Sequence, residues 1–378
     1  MKKIICFFLF WYTAVFALAA NVYVDSEYSG SEGDGSSWSS PIKTGSALNT
    51  KLAGLTFTTD NYIYIKRLVD GDIVLTSGPQ GNGKGLYFIG CDSNGDKITT
   101  IGEYATWDSK WSMCLELHGS FHSVFVENIH FIDQSQGNGC LTLDVSCKGF
   151  HVRNCKLVAA YSVSIYTDST ETLGSLSVED CVFASYHGIY LDPHATKNRT
   201  LFVKNSTFKC TGRGILFGKG TLISQFNVFD SCSSGIHYMA DTHLVVEHST
   251  FYGCSYALYG NSSDQKAVVL NYNIFAGCNA DLFILNNAIT PRYNITTRNT
   301  TAFADSTNQI NVSLSDIAFT DAANGDFSLQ KTSIALDVDA STQRGGRTAG
   351  AWQPASNDTT PSEGTSRGAK GALYKNLF

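Results

Sequence analysis

Three short segments, "CLTLDV", "SIYTDS" and "GIYLDP", align so that Asp144, Asp168 and Asp192 recur at intervals of 24 residues. If the segments stack as neighbouring strands, the three carboxylates form a line at one strand end. Like charges placed in a line raise one another's pKa and attract a counter-ion. Hard oxygen ligands suit Ca²⁺, so Asp144, Asp168 and Asp192 are the metal-site candidates. The competing reading is structural, since Asp often opens the turn that follows a strand.

Basic and aromatic residues share this register. His187 and Arg213 each stand two residues before an inward isoleucine, Ile189 and Ile215. Lys219 and His194 follow the Asp-bearing end, and His237 comes directly after Ile236. Lys219, Arg213 and His187 are therefore the catalytic candidates, with Lys219 or Arg213 as the base. Tyr190, His194 and His237 are the candidates for holding a ligand. For each residue taken alone, an ordinary solvated face is the competing reading.

The elements that must position these groups come from an internal repeat. Phe131, Leu157, Phe183, Phe208, Phe229, Phe251 and Phe275 recur at spacings of 26, 26, 25, 21, 22 and 24. Five residues before each stand Val126, Val152, Val178, Val203, Ser224, Val246 and Leu270, and seven before stand Val124, Phe150, Leu176, Leu201, Leu222, Leu244 and Val268. The apolar-x-apolar alternation is that of a strand with one buried face. A unit of this length cannot bury its own apolar face, so successive units must stack into a solenoid. Three short strands per unit fit a parallel β-helix, and neither the leucine-rich consensus nor the longer propeller repeat is present. Asn128, Asn154, Asp180 and Asn205, three before the repeated residue, are expected at a tight αL corner.

Composition agrees with a β-rich, exported chain. Charged residues make up 16% of 378, the net charge is −6, and no basic face is offered to nucleic acid. "MKK", an apolar run and Ala17-Leu18-Ala19 read as a cleaved export signal over 1–19, and no later segment is apolar enough to span a bilayer. The mature chain is expected to be secreted, cell-surface or periplasmic. It retains ten of the eleven cysteines, several of them in register, as at Cys210, Cys232, Cys254 and Cys278. One strand spacing, about 4.8 Å, is compatible with either a ladder of inward free thiols or disulfides. The organisation expected is a β-helix domain over 20–300 with a capping helix near 46–54, a closing segment over 301–353 and a tail over 354–378.

The coil pattern, the opening "VYVDSEYSGSEGDGSSW" and the closing "DFSLQKTSIALDVDA…GAWQ" resemble the right-handed parallel β-helix superfamily, the pectate lyase-like fold, over roughly 21–352. The resemblance implies an all-β solenoid that acts on or binds polysaccharide. In its calcium-dependent lyases, acidic residues hold a metal that neutralises the substrate carboxylate while Lys or Arg removes a proton. It therefore implies an exported protein that binds an acidic polysaccharide and, if catalytic, cleaves it by β-elimination. The superfamily's hydrolase signatures Asn-Thr-Asp, Asp-Asp, Gly-His-Gly and Arg-Ile-Lys do not occur here, and no lyase signature does either. The alternative is a non-catalytic surface or virion fibre that uses the solenoid as a rigid scaffold. The two differ in whether aromatics line the Asp-bearing face. Oligomeric state is left open.

Overall fold

The computed structural model describes residues 20–55, 59–69, 72–75, 84–109, 113–134, 139–167, 173–192, 198–239, 241–260, 267–284, 289–336, 338 and 349–351. The expected export segment 1–19 and tail 354–378 lie outside these residues, as do Asp168 and His194. Among the described residues, twenty-five strands join in one parallel sheet wound around a continuous core. The chain is an all-β parallel solenoid, as the repeat requires.

Each coil contributes strands to three faces. In one coil the first face takes Ser175–Glu179, and the strand Val182–Leu191 then supplies the second face at its start and the third at its end. In the next coil the three strands are separate: Arg199–Lys204, Thr207–Phe208 and Arg213–Phe217. The registers read from the repeat are those observed. Phe131 pairs with Leu157, Leu157 with Phe183, and the series continues through Phe208, Phe229 and Phe251 to Phe275. From Phe183 to Phe275 the rings stack face to face with centroids 4.5 to 5.2 Å apart. All five are fully buried, so each ring replaces water with its neighbours.

Between the first and second faces the chain turns on residues with positive φ: Asn128 (62°), Asn154 (46°), Asp180 (58°) and Asn205 (51°). These are the residues expected at the αL corner, because a short polar side chain tolerates that conformation. Further along, Phe226, His248, Tyr272 and Tyr293 occupy the same corner, also at positive φ. Their rings stack at 4.9, 4.9 and 5.0 Å, which offsets the backbone cost of bulky residues there.

Inside the corner runs a buried polar column that begins as Cys155 and Cys181 and continues as Ser206, Asn227, Ser249, Asn273 and Asn294. From Cys181 onward the turn leaves one backbone N–H per coil outside the sheet ladder, and a side chain of the next coil accepts it. Ser206 N donates to Asn227 Oδ1 at 2.9 Å, and Asn273 N donates to Asn294 Oδ1 at 2.9 Å. Ser224, the exception in the apolar repeat, accepts a bond from Asn227 Nδ2 at 2.9 Å and is fully buried. The ten cysteines from Cys91 to Cys278 are all free and buried.

The N-terminal end is covered by α1 (Gly45–Ala53), capped by Thr44, with Leu48 and Leu52 buried in the main core. At the other end the sheet finishes with Ile295–Thr296, and Phe303 packs on Phe275 at 5.2 Å. The chain then folds back along the outside of the second face, where Ile317, Leu329 and Ala349 cover Ile274 and Ile295, and Phe327 and Ala351 cover Val228.

Candidate functional site: an aromatic row on the third face

The third face carries most of the residues that the sequence singled out. Its central outward column runs in register through Tyr166, Tyr190, Leu216, His237, Tyr259 and Phe283. Each follows an inward Ile or Leu (Ile165, Ile189, Ile215, Ile236, Leu258, Leu282), so strand alternation alone sends these side chains outward. Tyr166 stacks with Tyr190 at 5.6 Å, His237 meets Tyr259 edge-on at 4.6 Å, and Tyr259 stacks with Phe283 at 4.9 Å. Tyr256 packs edge-on against both Tyr259 and Phe283. Beside the row, Tyr186 is 49% exposed and lies 4.3 Å from His187, which in turn lies 5.9 Å from Tyr190.

His187 and Arg213 occupy the same position on successive coils, as the alignment expected. The Arg213 backbone N–H donates to His187 Nδ1 at 2.9 Å, so the ring carries its proton on Nε2. Gly212 permits this approach, since a Cβ there would lie 2.6 Å from the His187 ring. Burial pushes the His187 pKa down to about 4, and the positive charge of Arg213 pushes the same way. His237 is likewise lowered to about 4 by burial, Arg213 and His187. Both rings are therefore neutral at physiological pH. Of the sequence candidates, the fold gathers His187, Tyr190, Arg213 and His237.

The others lie elsewhere. Lys219 sits on the turn after Arg213–Phe217, with its Nζ 3.3 Å from Asp241 Oδ2, so its charge is already held. Asp144 accepts from His118 Nδ1 at 3.1 Å, while Glu116 takes the other ring nitrogen at 2.7 Å. The expected line of carboxylates is thus diverted at its first member, because His118 stands beside Asp144 on the preceding coil. Among the described residues no group of three His, Cys, Asp or Glu side chains is placed to hold a metal ion, so calcium at Asp144 and Asp192 finds no support there. The sequence reading passed over Tyr166, Tyr186, Tyr256, Tyr259, Phe283 and the Glu116–His118 pair. Extending the "GIYLD" alignment to "GIHYM", "YALYG" and "ADLFI" carries the signal for the row.

With the solenoid and its aromatic face in place, comparison with known families is informative. Residues 116–310, just over half of the chain, match the family model described as "Periplasmic copper-binding protein (NosD)". The chain belongs to the NosD family. That family is described as periplasmic, in agreement with an exported β-helix protein. No curated protein matches this chain. No helix among the described residues is long and apolar enough to cross a membrane.

The family's description raises the question of copper, whose preferred donors are thiolate, thioether and imidazole. Among the described residues of this NosD-family chain, the donors do not fit it. Burial holds Cys140, Cys181 and Cys210 well above the ordinary thiol pKa, so they remain protonated inside the core. Both ring nitrogens of His118 are occupied by carboxylates. His187 and His237 lie within the field of the Arg213 cation, which repels a metal ion.

Proposed function

We propose that this NosD-family protein binds an extracellular polysaccharide along the third face. The observation that carries this reading is the aromatic row from Tyr166 to Phe283, which crosses successive coils beside Asp192. Sugar rings offer C–H faces that pack on aromatic carbon, and their hydroxyls bond to phenols and imidazoles at the edges. A row that offers a ring on five of six successive coils, interrupted at Leu216 and spaced about 4.8 Å per coil, suits an extended polymer better than a single small molecule. Tyr190 and His237 form the bed of the site, Tyr186 and Phe283 supply exposed rings, and Arg213 and His187 supply polar contacts. Copper has no part in this reading, because among the described residues no His, Cys, Asp or Glu side chains are gathered to hold it.

The test is binding to a panel of neutral and acidic polysaccharides by calorimetry, with wild type and the double variant Tyr190→Ala/Phe283→Ala. Wild type is expected to bind at least one polymer, and the variant to lose roughly tenfold or more in affinity while keeping its melting temperature. Absence of binding across the panel, or equal binding by the variant, overturns the reading. Absorbance from unsaturated products, followed with uronate polymers with and without Ca²⁺, reports whether binding leads to β-elimination. Copper added to the unliganded protein is expected to leave the melting temperature unchanged, since only a ligand of the native state raises it.

A further inference from the structure

We propose that the aromatic row takes an anionic sugar and that Arg213 receives its charged group. The inference rests on the reading of the row as a polysaccharide site and specifies the class of polymer. Several cations of this protein are held by carboxylates, among them Lys204 by Glu179, Lys209 by Asp230 and Lys219 by Asp241 on neighbouring coils. Arg213 has no carboxylate partner among the described residues, although it is partly buried between His187 and His237. Removing a guanidinium from water without a partner is unfavourable, and an incoming anion relieves that cost.

The surroundings suit an anion in a second respect. The imidazoles on either side are neutral, so the positive charge offered to a ligand there is that of Arg213. His187 accepts from the Arg213 backbone at Nδ1, and its remaining N–H at Nε2 can donate to a ligand. His237 is 8% exposed, and its Nε2 is enclosed without a hydrogen-bond partner, so polar capacity beside Arg213 is left unused in the free protein. The planar guanidinium fork matches two oxygens of one group, either the carboxylate of a uronic acid or a sulfate ester. Tyr186 and Tyr190, on the preceding coil, flank the point where the sugar carrying that group would lie.

The experiment compares wild type, Arg213→Gln and Arg213→Lys on four polymers: a uronate polysaccharide, its carboxyl-reduced form, a sulfated polysaccharide and a neutral one. Wild type is expected to prefer an anionic polymer, with affinity that falls as salt is raised. Arg213→Gln is expected to lose roughly ten- to a hundredfold on that polymer and nothing on the neutral one, with Arg213→Lys between the two. Preference for the uronate or for the sulfated polymer identifies the source of the charge. Equal binding of neutral and anionic polymers, or unchanged anionic binding by Arg213→Gln, overturns the inference while the polysaccharide reading stands. No binding of any polymer by wild type overturns that reading instead.

Discussion

Single side chains in this protein are sorted by whether their polar atoms find partners. Among the described residues Arg213 finds no anion, and Asp281 is another incomplete group. One oxygen of Asp281 accepts from Thr296 Oγ1 at 2.5 Å, the other is enclosed without a partner, and the residue is 3% exposed. Burial pushes its pKa up to about 6 from 3.8, against the lowering effects of the Thr296 bond and Arg298. A carboxyl with a raised folded-state pKa binds its proton more tightly when folded, so between 3.8 and about 6 stability falls as pH rises. The difference corresponds to roughly 3 kcal/mol lost above pH 6. Asp281→Asn keeps an acceptor for Thr296 and never ionises. The variant is expected to melt higher than wild type at pH 7.5, with the gap closing as pH falls below 6. Thermal melts across pH 3.5 to 8 check this, and a constant gap contradicts it.

At the scale of the element, the corner between the first and second faces is the part of the coil under most constraint. Its residues adopt positive φ, and from Cys181 onward the residue after the corner leaves a backbone N–H that a side chain on the next coil accepts. Asn294 shows how tightly the ladder closes. Its Oδ1 accepts from Asn273 N and Nδ2, and its Nδ2 donates to Leu270 O and Asn308 Oδ1. It is 1% exposed, so water cannot replace these bonds. Asn294→Ala strands buried donors on Asn273 and is expected to cost roughly 3 kcal/mol, read as a lower urea midpoint with an unchanged slope. The αL corner was legible in the run of Asn128, Asn154, Asp180 and Asn205. The polar ladder was not, because Cys155, Cys181, Ser206 and Asn227 look unrelated until stacking places them in one column.

For the whole molecule, a solenoid leaves two open ends, and its stability depends on how each is closed. The N-terminal end has α1. The C-terminal end is closed from outside by chain that returns to the second face. Ala351 N donates to Thr250 Oγ1 at 3.1 Å, across 101 residues of sequence, and Gly350 N donates to Tyr272 O at 2.8 Å. Ending the chain after residue 311 uncovers Val228, Ile274 and Ile295. The truncated protein is expected to melt lower, bind a hydrophobic dye and lose amide protection first in the coils from Thr250 onward. Uniform protection matching wild type would show that the closure contributes nothing.

The sequence by itself determined the solenoid and its registers. Apolar residues at a fixed spacing state which side of each strand is buried, and stacking is the only way for units this short to bury it. It also placed His187 over Arg213 and Tyr190 beside them, since a shared register follows from the same spacing. Only the tertiary structure decided which outward groups become partners. Asp144 turns to His118, Lys219 to Asp241, and Arg213 to no carboxylate among the described residues. Period-2 alternation fixes in from out along one strand, but pairing across coils depends on turn length and on what stands one coil away.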